Sequence, residues 1–186
     1  MEILGIFSAF GLSASAGLNA YIPLLVVALL TRFTNLMKLQ QPWDALASWW
    51  MIGLLVVLSL IEFFADKVPA VNHINDIIQT FIRPTAGAIV FAASAKVLTE
   101  VSPILSLACG LLVAGGVHAV KSAMIRPAVT ATTAGAGNVP VSMLEDVVST
   151  IVSVLSVLVP ILVVVFLIIL IAWIISNRQK RKSYQD

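Results

Sequence analysis

Residues 147–177 read VVSTIVSVLSVLVPILVVVFLIILIAWIISN, a run without a charged side chain. A helix needs about 20 apolar residues to cross the hydrocarbon core of a bilayer. Further uncharged runs occur earlier in the chain, at residues 3–31, 45–61 and 101–120. A soluble domain of 186 residues would not contain so many such runs. The sequence therefore predicts an integral membrane protein.

The predicted fold class is all-α, a polytopic helical membrane protein with about five hydrophobic segments. These segments span about residues 3–31, 46–66, 75–97, 103–127 and 143–176. We expect residues 1–176 to form a single transmembrane domain and residues 177–186 to form a basic cytoplasmic tail. The first and last segments are longer than a bilayer requires and contain Pro23 and Pro160. Broken, kinked or re-entrant helices are expected in both, and the last segment could begin as an interfacial helix that ends near Val159.

Basic residues predict the orientation, because short loops that carry Lys and Arg stay in the cytoplasm. The C-terminal tail contains four such residues, Arg178, Lys180, Arg181 and Lys182. With five spans, the loop that holds Arg32 and Lys38 and the connection beside Lys96 lie on the same side as this tail. We therefore expect a cytoplasmic C-terminus and an extracytoplasmic N-terminus.

Two stretches, residues 74–81 and 144–151, match each other in residue type at every position, and each follows a Val-Pro pair. The match favours an internal repeat of two hairpins, residues 46–97 and 103–176. Both stretches would open helices that run in the same direction. Asp76 and Asp146 would then face each other across the axis of the repeat, each in the first turn of its helix. Chance similarity between short apolar stretches is the alternative.

Charged residues within the apolar segments are the candidate site, because a charge in hydrocarbon costs several kcal/mol unless it is paired or hydrated. Glu62 and Asp66 are spaced by four residues, which places both carboxylates on one helix face. His73 and Asp76 follow after a short turn. Carboxylates with an imidazole suit a divalent metal or a proton relay, although the spacing matches no standard metal motif. An interfacial pair that ends the span is the alternative for Glu62 and Asp66.

A second group of candidates is basic. Arg83 lies deep in the third segment and should pair with an acid or face water. Lys121 and Arg126 occur near the end of the fourth segment, and His118 shares a helix face with Lys121. Together they could form a basic wall opposite the acids and hold a carboxylate or a phosphate. Structural ion pairs with Glu62, Asp66 or Asp146 are the alternative.

Three polar residues complete the candidate set. Asn19 lies in the first segment between Gly17 and Pro23, where it could bind an ion or form an interhelical hydrogen bond. Glu145 and Asp146 lie near the start of the last segment. Simple capping of a helix start is the alternative for these two acids.

Several functions have no support in the sequence. HExxH, GxSxG and CxxC motifs are absent, so the chain is not expected to be an enzyme or to hold a cofactor. A net charge of +2 is too small to indicate nucleic-acid binding. The single cysteine, Cys109, and the neighbouring Gly110 are interpreted as helix packing.

Three stretches carry a family resemblance: SAGLNAYIPL at residues 15–24, EFFADKVP at residues 62–69 and HAVKS at residues 118–122. They resemble a bacterial family of small multi-pass membrane proteins catalogued as a domain of unknown function. The resemblance covers about residues 10–170 and implies a membrane topology but no substrate. It leads us to expect a location in the inner membrane of the cell.

Three functions are compatible with these observations. The first is a transporter or channel for a small polar solute or ion, coupled to protons through the intramembrane carboxylates. The second is a protein that binds phospholipid or isoprenoid-phosphate headgroups, as a flippase or an enzyme. The third is a non-catalytic membrane scaffold in which the charges lock helices together. The expected partners are membrane lipids, the solute and, in an open alternative, a second copy of the chain.

Overall fold

The computed structural model describes residues 2–66, 69–95 and 102–160, together with residues 165, 168, 169 and 173. The side chains of residues 2–4, 69–74 and 76 lie outside this description. Every regular element of the described chain is helical. The longer helices are α1 (Glu2–Leu18), α2 (Tyr21–Phe33), α3 (Trp49–Ala65), α4 (Pro69–Ala95), α5 (Pro103–Val120), α6 (Arg126–Thr133) and α7 (Asn138–Leu158). A short 3₁₀ helix (Trp43–Ala47) precedes α3, and one π-helical stretch (Lys121–Ile125) joins α5 to α6.

The helices are apolar on the outside of the bundle, as lipid contact requires. Three of them are long and apolar enough to span a membrane, at Ile77–Ala95, Pro103–Thr133 and Asn138–Leu158. Shorter apolar helices occupy Gly5–Leu18, Tyr21–Phe33 and Trp49–Ala65. Ile104 is 79% exposed and Phe81 is 74% exposed, whereas Arg83 is fully buried. This arrangement reverses the pattern of a soluble protein and confirms the prediction of an all-α membrane protein.

The first hydrophobic segment is broken at Asn19 and Ala20, as a broken helix was expected there. The Oδ1 atom of Asn19 accepts the backbone N–H groups of Tyr21 at 3.1 Å and Ile22 at 3.0 Å. These bonds satisfy donors that have no partner at the start of a helix. Pro23 falls within the first turn of α2, where a missing N–H removes no helical bond. Asn19, and not the proline, therefore sets the position of the break.

Helix α1 runs antiparallel to α7. The hydroxyl of Ser8 donates to the carbonyl of Ser156 at 2.6 Å, and Ser15 donates to the carbonyl of Ser149 at 2.8 Å. The Asn19 amide then donates to Asp146 at 3.0 Å. Successive contacts therefore involve higher residue numbers in α1 and lower residue numbers in α7. The end of α1 consequently lies beside the early part of α7.

Helix α2 returns in the opposite direction. It begins next to Asn19, and it ends where the ring of Phe33 contacts the ring of Trp49 at 5.8 Å, at the start of α3. Helix α3 then runs back, and Asp66 at its end accepts the hydroxyl of Ser142 in α7 at 3.0 Å. Helices α1 and α2 therefore form an antiparallel hairpin with its tip at Asn19. We call the end of the bundle that contains Asn19, Asp66 and Ser142 the polar end.

This hairpin matches the re-entrant alternative for the first segment and not the single crossing of the five-span topology. The uncharged run at residues 3–31 suggested a single crossing of the membrane. The N-terminus would then lie on the opposite side of the membrane from the loop that holds Arg32 and Lys38. In the structure α1 runs towards the polar end and α2 runs away from it, so the start of α1 and the loop after Phe33 lie at the same end of the bundle. Hydropathy does not distinguish one long helix from two that turn back, which is why the sequence left both possibilities open.

Helices α1, α4 and α5 pack closely through small residues. A Cβ atom at Gly110 would overlap the Gly87 carbonyl and the Phe91 side chain, and one at Gly87 would overlap the Ala114 side chain. The Ser13 hydroxyl of α1 donates to the Gly110 carbonyl at 2.8 Å. Packing at Gly110 is thus confirmed as its role.

The two stretches of the predicted repeat bury corresponding positions. Asn75 and Glu145 are buried, as are Gln79 and Ser149 one turn later. Helices α4 and α7 both run antiparallel to α1, since the Phe10 ring contacts Phe91 while Ser13 lies near Gly87. This similarity is compatible with a repeat, which stays a prediction.

The expected helix starts were wrong. Helix α4 begins at Pro69 and α7 at Asn138, so Asp76 and Asp146 lie well beyond their first turns. Helix α7 ends at Leu158, and Val159 leaves the helical conformation directly before Pro160, as expected from the proline. The basic tail at residues 177–186 lies outside the described residues.

Replacement of Gly110 by Ala should destabilise the bundle, because its methyl group would overlap α4. Overpacking of this kind costs about 1–3 kcal/mol. Gly116→Ala in the same helix is the matched control, since a Cβ there meets no atom within 4 Å. We expect a lower thermal unfolding midpoint in detergent for Gly110→Ala and an equal or higher midpoint for Gly116→Ala. Equal midpoints for both variants would contradict the packing.

The hairpin predicts that an N-terminal reporter and the loop at Asn35 lie on one side of the membrane, with Ala136 on the other. Single cysteines at Asn35 and Ala136, in a Cys109→Ala background, would be tested with a membrane-impermeant thiol reagent. The N-terminal reporter should share the accessibility of the Asn35 cysteine. An N-terminus on the side of Ala136 would support a single crossing by residues 3–31 instead.

Candidate functional site

Charged side chains from several helices meet inside the polar end of the bundle. Glu62 and Asp66 lie one turn apart at the end of α3, and Arg83 approaches them from α4. Arg83 is fully buried, and Glu62 and Asp66 are nearly so. Asn75 and Arg83 both bind this end of α3, although they are separated by eight residues or about 12 Å along α4. The polar cluster thus reaches well into the bundle.

Arg83 binds Glu62 through two nitrogens. The Oε1 atom of Glu62 accepts from Nη2 at 2.8 Å and from Nε at 3.3 Å. The Nη2 atom also lies 3.8 Å from the Oδ2 atom of Asp66. One guanidinium therefore lies between two carboxylates, close to the first and further from the second.

Asp66 is the most heavily bonded acid of the cluster. Its Oδ1 atom accepts the amide of Asn75 at 2.7 Å, and its Oδ2 atom accepts the hydroxyl of Ser142 at 3.0 Å. Arg126 donates to Oδ2 at 3.2 Å. These bonds come from α4, α6 and α7, so a single carboxylate joins three helices to the end of α3.

Glu145 joins the remaining cations. Its Oε2 atom lies 2.7 Å from the Nζ atom of Lys121 and 3.8 Å from Nη2 of Arg126. Lys121 also donates to the carbonyl of Leu18 at 3.1 Å. Since the helix breaks directly after Leu18, that carbonyl lies at the end of α1, where helical partners run out. Lys121 thus ties the tip of the hairpin to α7.

These contacts form one series in which acids and bases alternate. We call it the charge chain: Glu62, Arg83, Asp66, Arg126, Glu145 and Lys121. Three carboxylates balance three cations along it. Neutrality of this kind is what allows so many charges to be buried together.

His118 lies against the charge chain on α5. Its Nδ1 atom is 3.3 Å from Nη1 of Arg83, and its Nε2 atom is 3.2 Å from the hydroxyl of Thr80. A guanidinium only donates hydrogen bonds, so Nδ1 must accept. At this contact Nδ1 is thus the acceptor, and Nε2 faces the hydroxyl of Thr80.

The predicted site residues come together with few exceptions. The charge chain, His118, Asn19 and Asp146 all lie at the polar end. The side chains of His73 and Asp76 lie outside the described residues. Glu145 and Asp146 are not helix caps, because α7 begins at Asn138. Glu62 and Asp66 are buried among partners inside the bundle, and Asp66 directly follows the last residue of α3, as the alternative of a pair that ends the span had it.

The predicted basic wall does not form. Arg83, Lys121 and Arg126 each contact a carboxylate and alternate with acids instead of facing them as a group. The sequence shows which residues are charged but not which acid faces which base. The ion pairing considered as the alternative is present for Arg83, whereas Lys121 pairs with Glu145, an acid that the alternative did not name.

The sequence analysis did not identify several serines that bind at the polar end or between α1 and α7, because they are small polar residues inside apolar runs. Ser142 binds Asp66, and the hydroxyl of Ser15 lies 2.8 Å from that of Ser149 and 2.7 Å from that of Ser153. Buried residues recur along α7 at a helical spacing, Ser142, Glu145, Ser149, Ser153 and Ser156. That spacing was the available signal, since a polar stripe on an apolar helix faces a protein neighbour.

Metal binding was one chemistry considered for the acids. Within the described part of the chain, no group of three or more His, Cys, Asp and Glu side chains is placed to hold a metal ion. The carboxylates there bind Arg, Lys, Asn and Ser side chains. The arrangement suits the movement of protons or the exchange of ion pairs.

The chain belongs to the DUF4126 family, a domain of unknown function, whose model matches residues 6–180. This membership confirms the family resemblance of the sequence. No curated protein and no solved structure matches the chain. A function therefore has to be argued from the polar end itself.

Replacement of Lys121 by Met should strongly destabilise the protein, because it leaves Glu145 as a buried acid without its closest cation. Loss of one partner from a buried pair costs about 3–5 kcal/mol. The double variant Lys121→Met, Glu145→Gln should recover most of this loss. Thermal unfolding in detergent measures both effects, with exposed Lys38→Met as the control. Strictly additive changes would show that the two residues are not coupled.

Proposed function

We propose that this protein is a membrane transporter or channel for a small polar solute or ion, and that the charge chain is its site. The observation that carries the proposal is one connected series of six alternating charges, of which five are buried and Arg126 is partly buried. Buried ion pairs contribute little to stability compared with apolar packing of the same volume. Ionisable residues inside membrane helices are typically part of ion or substrate pathways.

The spacing within the charge chain supports a site that can rearrange. Arg83 lies 2.8 Å from Glu62 and 3.8 Å from Asp66. Arg126 lies 3.2 Å from Asp66 and 3.8 Å from Glu145. Each guanidinium can exchange a near carboxylate for a far one through a movement of about 1 Å. An ion or proton that enters the site could therefore bind a carboxylate that its guanidinium has left. That guanidinium would remain paired with its other carboxylate.

The hairpin tip supports the same proposal. Many transporters place their sites at broken helices, where free backbone groups and helix ends face the substrate. Here the break after Leu18 is held by Lys121, and Asn19 is held by Asp146. Movement of either pair would be transmitted directly to α1 and α2.

The orientation follows from the basic loops. The loop that holds Arg32 and Lys38 lies at the end opposite to the polar end, which the positive-inside rule assigns to the cytoplasm. In this proposed orientation the polar end would lie on the extracytoplasmic side of the inner membrane. We propose membrane lipids and a small solute or ion as partners, with no enzymatic step and no cofactor.

A scaffold remains the second candidate, because the charge chain joins different helices. Glu62 and Arg83 link α3 to α4, and Asp66 and Arg126 link α3 to α6. Headgroup binding has less support, since Arg83, Lys121 and Arg126 already bind carboxylates and a phosphate would have to displace them.

Transport would be tested in proteoliposomes on a solid-supported membrane, with concentration jumps of sodium, potassium, chloride, phosphate, amino acids and organic acids. We expect a transient current for at least one solute, and a loss of at least tenfold in Glu62→Gln. Asp44→Asn, which removes an exposed acid outside the charge chain, is the matched control and should keep the current.

The same assay separates a transporter from a scaffold. Exchange of the pair, Glu62→Arg with Arg83→Glu, preserves a helix-to-helix lock but moves each charge to the other helix. A folded exchange variant without current supports transport. Absence of current for every solute in the wild-type protein, with normal folding of the exchange variant, would favour the scaffold.

A further inference from the structure

Several buried side-chain oxygens at the polar end, those of Glu145 included, have no hydrogen-bond partner among the described atoms, and two of the others belong to facing parts of α3 and α4. These two are Oε2 of Glu62 and Oε1 of Gln79. Both side chains are at least 98% buried, with exposures of 1% and 2%. A buried acceptor without a donor costs about 1–3 kcal/mol, and a charged one costs more. Two such acceptors in one region need an explanation.

The helix register places the two oxygens in the same region. Asn75, Gln79 and Arg83 are spaced by four residues and therefore share one face of α4. Asn75 binds Asp66 and Arg83 binds Glu62, so this face lies along the end of α3. Gln79 lies between these two anchors, next to the turn that contains Glu62 and Asp66.

We infer that Glu62 and Gln79 form a proton-binding site. A proton taken from water would bind Oε2 of Glu62, and the resulting O–H group would donate to Oε1 of Gln79. One proton thereby satisfies both oxygens. The Oε1 atom of Glu62 continues to accept from Arg83, because a carboxylic acid retains its carbonyl oxygen as an acceptor. This inference rests on the proposed function and names the proton as the coupling ion.

The groups around Glu62 determine what protonation changes. Those that face it are Arg83 of α4, Asp66 at the end of α3, Lys121 of the π-helical stretch and Tyr21 of α2, with His118 of α5 behind the guanidinium. Protonation removes one negative charge and leaves the charge chain with one excess positive charge. The attraction between Glu62 and Arg83 weakens, while Asp66 remains ionised 3.8 Å away. Arg83 would then move towards Asp66.

Gln79 acts here as a selective acceptor. The amide oxygen of Gln79 can accept the O–H group of a protonated carboxyl, whereas a carboxylate could be bound only by the amide NH2 group after a rotation of about 180°. Oε1 facing Glu62 therefore favours the protonated form of that residue. A leucine of similar volume would remove this preference and leave the packing of α4 nearly unchanged.

The test is an infrared difference titration of the full-length protein in liposomes, with the pH varied from alkaline to acidic. A protonated buried carboxyl has a carbonyl stretching band apart from the amide bands, and the band shifts in heavy water. We expect such a band in the wild-type protein and none in Glu62→Gln. Asp44→Asn, an exposed acid, is the control and should retain the band.

Gln79→Leu provides the decisive comparison, because it leaves the titrating acid in place. We expect its carbonyl band to move to higher frequency and its midpoint to fall by about one pH unit, or tenfold in proton affinity. Gln40→Leu, at an exposed glutamine, should change neither property. If Glu62→Gln does not elute as a folded protein, Gln79→Leu alone decides.

Retention of the full band in folded Glu62→Gln, or a Gln79→Leu titration identical to that of the wild type, would overturn the proton site. The titration needs no transported solute, so its outcome is independent of the current measurements. A normal titration without current for any solute would reject transport and leave the proton site standing.

Discussion

The burial of Arg83 is the constraint from which the polar end follows. A guanidinium cannot be deprotonated at physiological pH, so a fully buried one must be neutralised by neighbours. Glu62 supplies the charge, and His118 accepts a further hydrogen bond. These partners come from α3 and α5, on either side of α4. The requirement of one side chain therefore fixes the relative depth of three helices.

Close helix packing makes this neutralisation possible. One turn beyond Arg83, Gly87 lies against Gly110 and Ala114 of α5, where no larger side chain fits without displacement. The short distance between the backbones brings His118 within 3.3 Å of the guanidinium. The small residues thus set the distance between α4 and α5. That short distance is what allows His118 to reach the buried guanidinium of Arg83.

Composition and charge position were sufficient to predict an all-α membrane protein and most of the residues at the polar end. They did not predict pairing, because each acid can reach bases on several helices and only the packing selects among them. The direction of α2 stayed open at the level of the sequence because Asn19, a single cap in an uncharged run, turns the chain back. Gln79 was missed for a related reason: an amide acquires significance only when burial leaves its oxygen without a donor.

Our proposal gives the charge chain a role beyond a structural lock. A lock needs only one good pair, and apolar residues of equal volume would hold the helices as firmly. In the charge chain, each guanidinium instead lies at unequal distances from two carboxylates. These distances are 2.8 and 3.8 Å for Nη2 of Arg83 and 3.2 and 3.8 Å for Nη2 of Arg126. The charge chain also reaches Leu18. In the proposed function, a change of charge at Glu62 would pass along successive pairs to the break after Leu18, at the tip of the hairpin.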